Sequence, residues 1–329
     1  MHESVGPNFR PAYHRTPMGL LHARLDAGET LVLDGGLATS LEAAGLPLPG
    51  PLWSARALLE APDLVRDAHA AFAGAGAEVL LTASYQLSRR GLQAAGLDPS
   101  LAPTLFARAV ALAREAGRDA HPRPLVAGSL GPYGAALADG SEYTGRYDIG
   151  RGALRDFHAP RVEGLVDAGA DLLAVETVPG GEEVQVIADL LADAGRHAWV
   201  SVTVAGDGTR TPVGEPLLEA LGPAAAVDEI VAVGVNCVPD ELVVPALEHL
   251  APLGVPLLAK PNAGARWDPV GQVWRPVRTP VDPRPWLSAG ARLVGGCCGT
   301  APADVAALAT AVGRPRAGHD GEADGPGPG

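Results

Sequence analysis

Residues 291–300 read Ala-Arg-Leu-Val-Gly-Gly-Cys-Cys-Gly-Thr, a short apolar run that stops at two glycines and two adjacent thiols. Residues 231–237, Val-Ala-Val-Gly-Val-Asn-Cys, follow the same plan and stop at Asn236 and Cys237. Short branched-aliphatic runs bounded by Gly or Pro are the pattern of buried parallel strands. Further runs of this kind lie at 30–35, 78–85, 124–131, 170–177, 198–204 and 256–262, which with 231–237 and 291–298 makes eight. Helical patterns fall between most of them, at 61–74, 101–116, 157–168, 182–194, 239–251 and 303–312. In the first of these, Pro62 and Asp63 open the helix and Leu64, Val65, Ala68 and Phe72 recur with a period near 3.6. The last is expected to start from Thr300 as cap, with Pro302 in its first turn.

Eight strands with interleaved helices predict an α/β protein of the (β/α)8 TIM barrel class, a single domain over residues 18–312. Residues 1–17 carry no periodic pattern and read as a flexible N-terminal segment; residues 313–329, rich in Gly and Pro, read as a disordered tail. A doubly wound open sheet has the same local pattern, and the strand count favours the barrel. No Gly-x-Gly-x-x-Gly follows the first run and no Walker lysine motif occurs, so neither dinucleotide nor P-loop chemistry is indicated.

The chain has 329 residues, 47% hydrophobic and 19% charged, which fits a folded core rather than disorder. Its net charge of −13 argues against nonspecific nucleic-acid binding. There is no run of about 20 apolar residues for a membrane span, and residues 1–17 lack the apolar centre of a signal peptide. Three cysteines in so long a chain are no disulfide framework, so a reducing, cytoplasmic location is expected.

In such barrels the chemistry sits at the C-terminal ends of the strands. Here polar residues finish one apolar run after another: Asp34, Tyr85 and Gln86, Ser129, Glu176, Asn236 and Cys237, Lys260, and Cys297 with Cys298. The cysteines end the sixth and eighth runs, and alternate strands of a barrel share an interior layer, so Cys237, Cys297 and Cys298 are expected to converge near the axis. Three thiolates suit a tetrahedral Zn2+ whose fourth position stays open, as in catalytic rather than structural sites. Inert buried packing, a strained vicinal disulfide and a redox pair are other readings of these thiols, and the residues alone leave them open. A zinc ion carrying three thiolates has a net charge of about −1, is a weak Lewis acid toward water, and favours an incoming thiol held as thiolate. That chemistry leads to alkyl transfer onto sulfur more than to hydrolysis.

Taken in order, Leu33-Asp34-Gly35-Gly36-Leu37-Ala38-Thr39, Thr82-Ala83-Ser84-Tyr85-Gln86, Gly128-Ser129-Leu130-Gly131-Pro132-Tyr133-Gly134, Glu176-Thr177, Gly234-Val235-Asn236-Cys237 and Gly295-Gly296-Cys297-Cys298-Gly299-Thr300 resemble the homocysteine S-methyltransferase family. The resemblance runs from about Leu31 to Val312. Leu52-Trp53-Ser54-Ala55 and Leu137-Ala138-Asp139-Gly140-Ser141-Glu142-Tyr143 are similar to the bacterial and plant branch that uses S-methylmethionine or S-adenosylmethionine. The resemblance implies a zinc-dependent barrel that methylates L-homocysteine to methionine. Cys237, Cys297 and Cys298 would then hold the zinc, with the homocysteine thiolate in the fourth position. Asp34 and Glu176 would accept the substrate α-ammonium, backbone N–H groups around Gly35 and Gly36 would hold its carboxylate, and Asn236 would orient the site. Ser129 joins this binding set. Trp53, Tyr85 and Tyr133 are candidates for a cation–π wall around the sulfonium donor. For Asp34 a turn role, for Glu176 a structural ion pair, and for the aromatics plain packing remain the competing readings.

Two segments depart from the family pattern and are candidates to influence donor choice: 206–212, with Arg210, and 265–278, with Trp267 and Trp274, read as a rim loop. Gly295 and Gly296 are expected to let the backbone approach the metal. The chain has no long C-terminal arm like the one the betaine-using branch carries for oligomer formation, so betaine is the less expected donor; a monomer or weak homo-oligomer is expected. A non-catalytic zinc- or thiol-binding barrel, and a methyltransferase acting on another thiol or a selenol, are the alternatives. A metal-dependent hydrolase would call for His at the strand ends, and none of the eight carries it.

Overall fold

In the computed structural model, which describes residues 17–48, 50–263, 265–268, 273–276 and 281–314, the eight predicted runs form one parallel sheet. The strands are β1 (Leu31–Val32), β2 (Val79–Leu81), β3 (Leu125–Leu130), β4 (Leu172–Val178), β5 (Ala198–Val202), β6 (Ile230–Asn236), β7 (Leu257–Lys260) and β8 (Ala291–Val294). Neighbours pair in sequence order from β2 to β8, and β8 pairs with β1. The ring closes where Leu33 bridges Val79 and the Asp34 N–H donates to the Val79 carbonyl at 3.1 Å. The sheet is therefore a barrel and not the open alternative, as expected of a (β/α)8 domain.

Side-chain alternation explains where the core lies. Leu31, Leu33, Val79, Leu81, Ala127, Leu172, Ala174, Trp199, Leu258 and Leu293 point inward and fill the lower part of the barrel. The intervening residues, among them Val32, Val126, Val175, Val233 and Ala259, face outward onto the surrounding helices. Continuing the inward series one step up gives Ser129, Glu176, Ser201, Asn236 and Lys260, all buried. The barrel interior thus changes from apolar to polar at its C-terminal end.

Several helices were not legible as periodic patterns. Pro17–Asp26 lies mostly outside the segment expected to be structureless, and its Leu21 and Leu25 pack into the inner core at the N-terminal end of the barrel. Leu37–Ala43, Ser54–Glu60, Arg89–Ala94, Leu217–Ala225 and Arg284–Ser288 are short and occupy connections. The helix expected at 157–168 begins earlier, at Arg151. That expected at 239–251 divides into a 3-10 turn and Val243–Leu250. The final helix, Pro302–Ala311, starts from Ala301 rather than Thr300; the Ala301 N–H donates to Asp304 at 2.9 Å. Within the segment read as a rim loop, residues 265–268 and 273–276 pair as an antiparallel hairpin, with Trp267 opposite Trp274 in register. The remainder of 265–278 lies outside the described residues, as do 1–16 of the N-terminal segment and 315–329 of the tail. Among the described residues no helix is long and apolar enough to cross a membrane.

His69, on the helix Pro62–Gly74, is fully buried with neither ring nitrogen hydrogen-bonded among the described residues. Burial lowers its pKa from 6.5 to about 4. The unfolded chain therefore binds the proton first. Stability from keeping this imidazole neutral is complete above about pH 6.5, falls as the pH drops below it and levels off near pH 4, for a total of about 3 kcal/mol. Chemical denaturation of wild type and His69→Leu across pH 4–7 should show a shallower acid loss in the variant; parallel curves would contradict the assignment.

Candidate metal centre and its cavity

The sulfur atoms of Cys237, Cys297 and Cys298 lie within 4.8 Å of one another. Cys237 Sγ and Cys298 Sγ are 3.7 Å apart. Tetrahedral zinc with Zn–S bonds of about 2.3 Å sets its sulfurs roughly 3.8 Å apart, so the donor set suits such an ion. The sulfurs converge from the connections just beyond β6 and β8 rather than from the strands' interior layer, because the strands end at Asn236 and Val294. Cys237 already has a positive φ of 56°, which turns its side chain off the strand path.

What fixes these connections is the residue triplet that ends β7 and follows it, Lys260 to Asn262. The Lys260 carbonyl accepts from the Cys237 N–H at 3.0 Å and the Pro261 carbonyl from the Cys297 N–H at 2.8 Å. Asn262 accepts from the Cys298 N–H through its side chain at 3.1 Å, and its own N–H donates to the Val238 carbonyl at 2.9 Å. Both cysteine segments are hence bonded to one stretch between them. The glycines around the pair serve the neighbouring chain rather than the metal. A Cβ on Gly295 would meet Leu33 and the Asp34 carbonyl, and one on Gly296 would collide with the Thr300 side chain.

The sulfurs stand at the side of a cavity of about 840 Å³, lined also by Asp34, Gly35, Gly36, Trp53, Tyr85, Ser129, Glu176, Asn236 and Lys260. Asp34 Oδ2 accepts from the Leu81 N–H at 2.7 Å, whereas Oδ1 is buried with no hydrogen-bond partner among the described residues. Burial pushes the Asp34 carboxyl up to about 7, against the opposing pull of the Lys260 charge. Glu176 is held by Lys260 Nζ at 2.7 Å and by Ser129 Oγ at 3.1 Å. Its pKa is raised by burial despite that cation. Burial alone would lower the Lys260 pKa, but the charges of Glu176, Asp34 and Cys297 outweigh it and hold the ammonium protonated. Asn236 accepts from the Thr177 N–H at 2.6 Å and Ser201 Oγ at 2.7 Å, and donates to Thr177 Oγ1 at 2.8 Å. Its amide nitrogen is 4.0 Å from Cys297 Sγ.

Among the thiols, Cys297 ionises first. Hydrogen bonds from Cys237 and Cys298, with help from the Lys260 charge, put its pKa well below the usual thiol value. Cys237 is correspondingly raised by its contact with Cys297, and Cys298 by its contacts with both. A divalent cation would replace this sharing of protons with three thiolates.

Not every expected residue is where the sequence suggested. The Tyr133 ring is outside the cavity lining and packs against Phe157 and Tyr147, with centroids 5.0 and 5.4 Å away. The cause is a long-range contact: Tyr133 opens a short helix, and its N–H donates to Glu183, 50 positions later, at 2.6 Å. Trp53 and Tyr85 do line the cavity, edge to face with centroids 6.3 Å apart. The Gly36 N–H, expected to be open to a ligand, donates to the Thr300 carbonyl at 2.9 Å. Arg210 bonds its own loop at the Gly214 carbonyl and does not line the cavity. Conversely, Lys260, Glu142 and Tyr143 line the cavity without having been singled out as binding residues. Tyr143 OH is 3.7 Å from Cys237 Sγ, and burial keeps its phenol protonated as a donor. A signal for Lys260 was present, since it is the one lysine of the chain and ends a strand; Tyr143 sits in a 3-10 turn of the β3 connection, inside the 137–143 stretch that carries the family resemblance, and no strand end marks it.

The homocysteine S-methyltransferase family profile matches residues 31–312. The chain belongs to the homocysteine S-methyltransferase family. It is 46% identical over 302 residues to the homocysteine S-methyltransferase of Escherichia coli (strain K12), covering 88% of this chain and 97% of that one. The metallated crystal form of the homocysteine methyltransferase MmuM from Escherichia coli superposes with a TM-score of 0.77 at 44% identity, covering 88% of this chain and 99% of that one. The selenocysteine Se-methyltransferase of Brassica oleracea var. italica is 37% identical over 309 residues, covering 86% of this chain and 89% of that one. Family membership makes this an enzyme of methyl transfer, with a cysteine cluster able to bind a metal ion.

Because Asn262 fixes the Cys298 backbone, Asn262→Ala should lower metal affinity about 10- to 100-fold, the usual scale for losing a residue that orients a ligand. Competition with a chromophoric chelator measures it; an unchanged affinity would show that the Cys298 segment is held without this side chain.

Proposed function

We propose that the enzyme transfers a methyl group from a sulfonium donor, S-methylmethionine or S-adenosylmethionine, to L-homocysteine, giving methionine, with Zn2+ as its metal. The observation that carries the reading is the three-sulfur cluster opening onto a cavity whose lining includes the carboxylates of Asp34 and Glu176 and the rings of Trp53 and Tyr85. Cys237, Cys297 and Cys298 are the metal ligands in this reading. Bound there, zinc supplies a way to keep the acceptor sulfur as thiolate at neutral pH.

The remaining work falls to the protein. Asp34, with its free Oδ1, and Glu176 receive the acceptor's α-ammonium. Asn236, pinned by Thr177 and Ser201, fixes the strand end from which Cys237 projects. Trp53 and Tyr85 face the cationic donor, whose positive charge an aromatic wall tolerates without a counter-ion. The acceptor sulfur's lone pair forms the new S–CH3 bond as the donor's S–CH3 bond breaks, and the donor leaves as a neutral thioether. No proton moves in that step, so the protein's task is alignment. The names of the relatives also favour a second acceptor class, selenols, because a selenocysteine Se-methyltransferase is among them.

Purified enzyme should contain about one zinc per chain by elemental analysis. It should form methionine from homocysteine with S-methylmethionine or S-adenosylmethionine. A donor panel at fixed homocysteine ranks the donors, and selenocysteine as acceptor tests the selenol. Cys297→Ala with Cys298→Ala should abolish both zinc binding and turnover; full activity in that variant would sink the mechanism.

A further inference from the structure

We infer that Lys260 is a specificity residue that binds the α-carboxylate of the acceptor, so that the pocket selects a zwitterionic α-amino-acid thiol. The inference rests on the proposed function above and adds to it the residue that reads the carboxylate.

Lys260 is the last residue of β7, only 3% exposed, and it lines the cavity. An ammonium group has three N–H donors. Among the described residues Lys260 Nζ bonds only Glu176 Oε1, at 2.7 Å. The other two donors are left for something that enters the cavity, and a buried cation with spare donors is a receptor for an anion. A plain structural ion pair would not need to face a cavity of this size.

The complementary defect lies in the same cavity. Asp34 Oδ1 is a buried acceptor with no hydrogen-bond partner among the described residues. Glu176, by contrast, has one oxygen on Lys260 and the other on Ser129. Lys260 thus balances Glu176, and Asp34 Oδ1 is left as an open acceptor on the same cavity wall. An acceptor carrying an α-ammonium and an α-carboxylate satisfies both open groups at once, the first at Asp34 and the second at Lys260. A thiol with only an amine leaves the Lys260 donors unpaired, and unpaired buried polar groups are what give strong discrimination between otherwise similar ligands. The backbone alternative is weakened because the Gly36 N–H is already engaged by the Thr300 carbonyl. Lys260 also accepts the Cys237 N–H through its carbonyl at 3.0 Å, so the carboxylate and sulfur subsites are neighbours, as the three-carbon chain between those groups in homocysteine demands.

The test compares homocysteine with 3-aminopropane-1-thiol, which lacks only the carboxylate. Lys260→Met alone leaves Glu176 without its cation, so the informative variant is Lys260→Met combined with Glu176→Gln, which removes one charge of each sign. The ratio of kcat/KM for the two thiols, with a saturating sulfonium donor, should fall at least tenfold from wild type to the double variant. If Lys260 is merely structural, both thiols lose activity by the same factor and the ratio stays within about twofold, which overturns the inference. Should wild-type enzyme methylate neither thiol with any sulfonium donor, the proposed function fails. The inference is then decided by calorimetry on the metal-containing protein, where the ratio of the two dissociation constants must show the same fall and an unchanged ratio refutes it.

Discussion

Holding three sulfur atoms within 4.8 Å of one another at the wall of a cavity is the constraint on which the rest of the arrangement depends. Thiols are weak hydrogen-bond partners and thiolates repel one another, so the sulfurs cannot gather themselves. The backbone has to do it. Residues 260–262 lie between the two cysteine segments and bond to each, through two carbonyls and one amide side chain. Strand order β6–β7–β8 is what makes this geometry available, because β7 is the neighbour of both cysteine-bearing strands. The barrel topology and the metal centre are one design at two scales.

A second consequence of the barrel is the sharp change in its interior. The inward-facing rows of β3 to β7 begin with Leu, Ala or Trp and end with Ser, Glu, Asn or Lys. Burying those end residues would be costly if they stood alone. They pair instead: Glu176 with Lys260 and Ser129, Asn236 with Thr177 and Ser201. The partners come from different strands, so closing the barrel and satisfying the polar layer are the same event. The exceptions, Asp34 Oδ1 and the spare Lys260 donors, both face the cavity.

Much of this was readable in the sequence because barrel strands are short, apolar and regularly spaced, and because polar residues at their ends interrupt the pattern conspicuously. The runs ending at Glu176, Asn236 and Lys260 were found to within a residue or two. The sulfur cluster was legible because three cysteines all fell at such ends. What could not be read was set by contacts between distant segments. Tyr133 looked like a cavity residue until its N–H was seen to bind Glu183, on a helix 50 positions later. Gly36 looked like an open donor, but the partner of its N–H is Thr300, at the far end of the fold. The helix Pro17–Asp26 escaped notice because its apolar face is narrow, and it is recognisable only by the barrel floor it covers.

That floor has a consequence for traffic. With Leu21 and Leu25 among the apolar side chains that fill the N-terminal end of the barrel, the barrel axis is shut from that side. The cavity lies at the opposite end, among the connections that follow the strands. Any reactant therefore has to be admitted by those connections, and a ten-residue helix remote from the cavity helps to decide from which side the chemistry is reached.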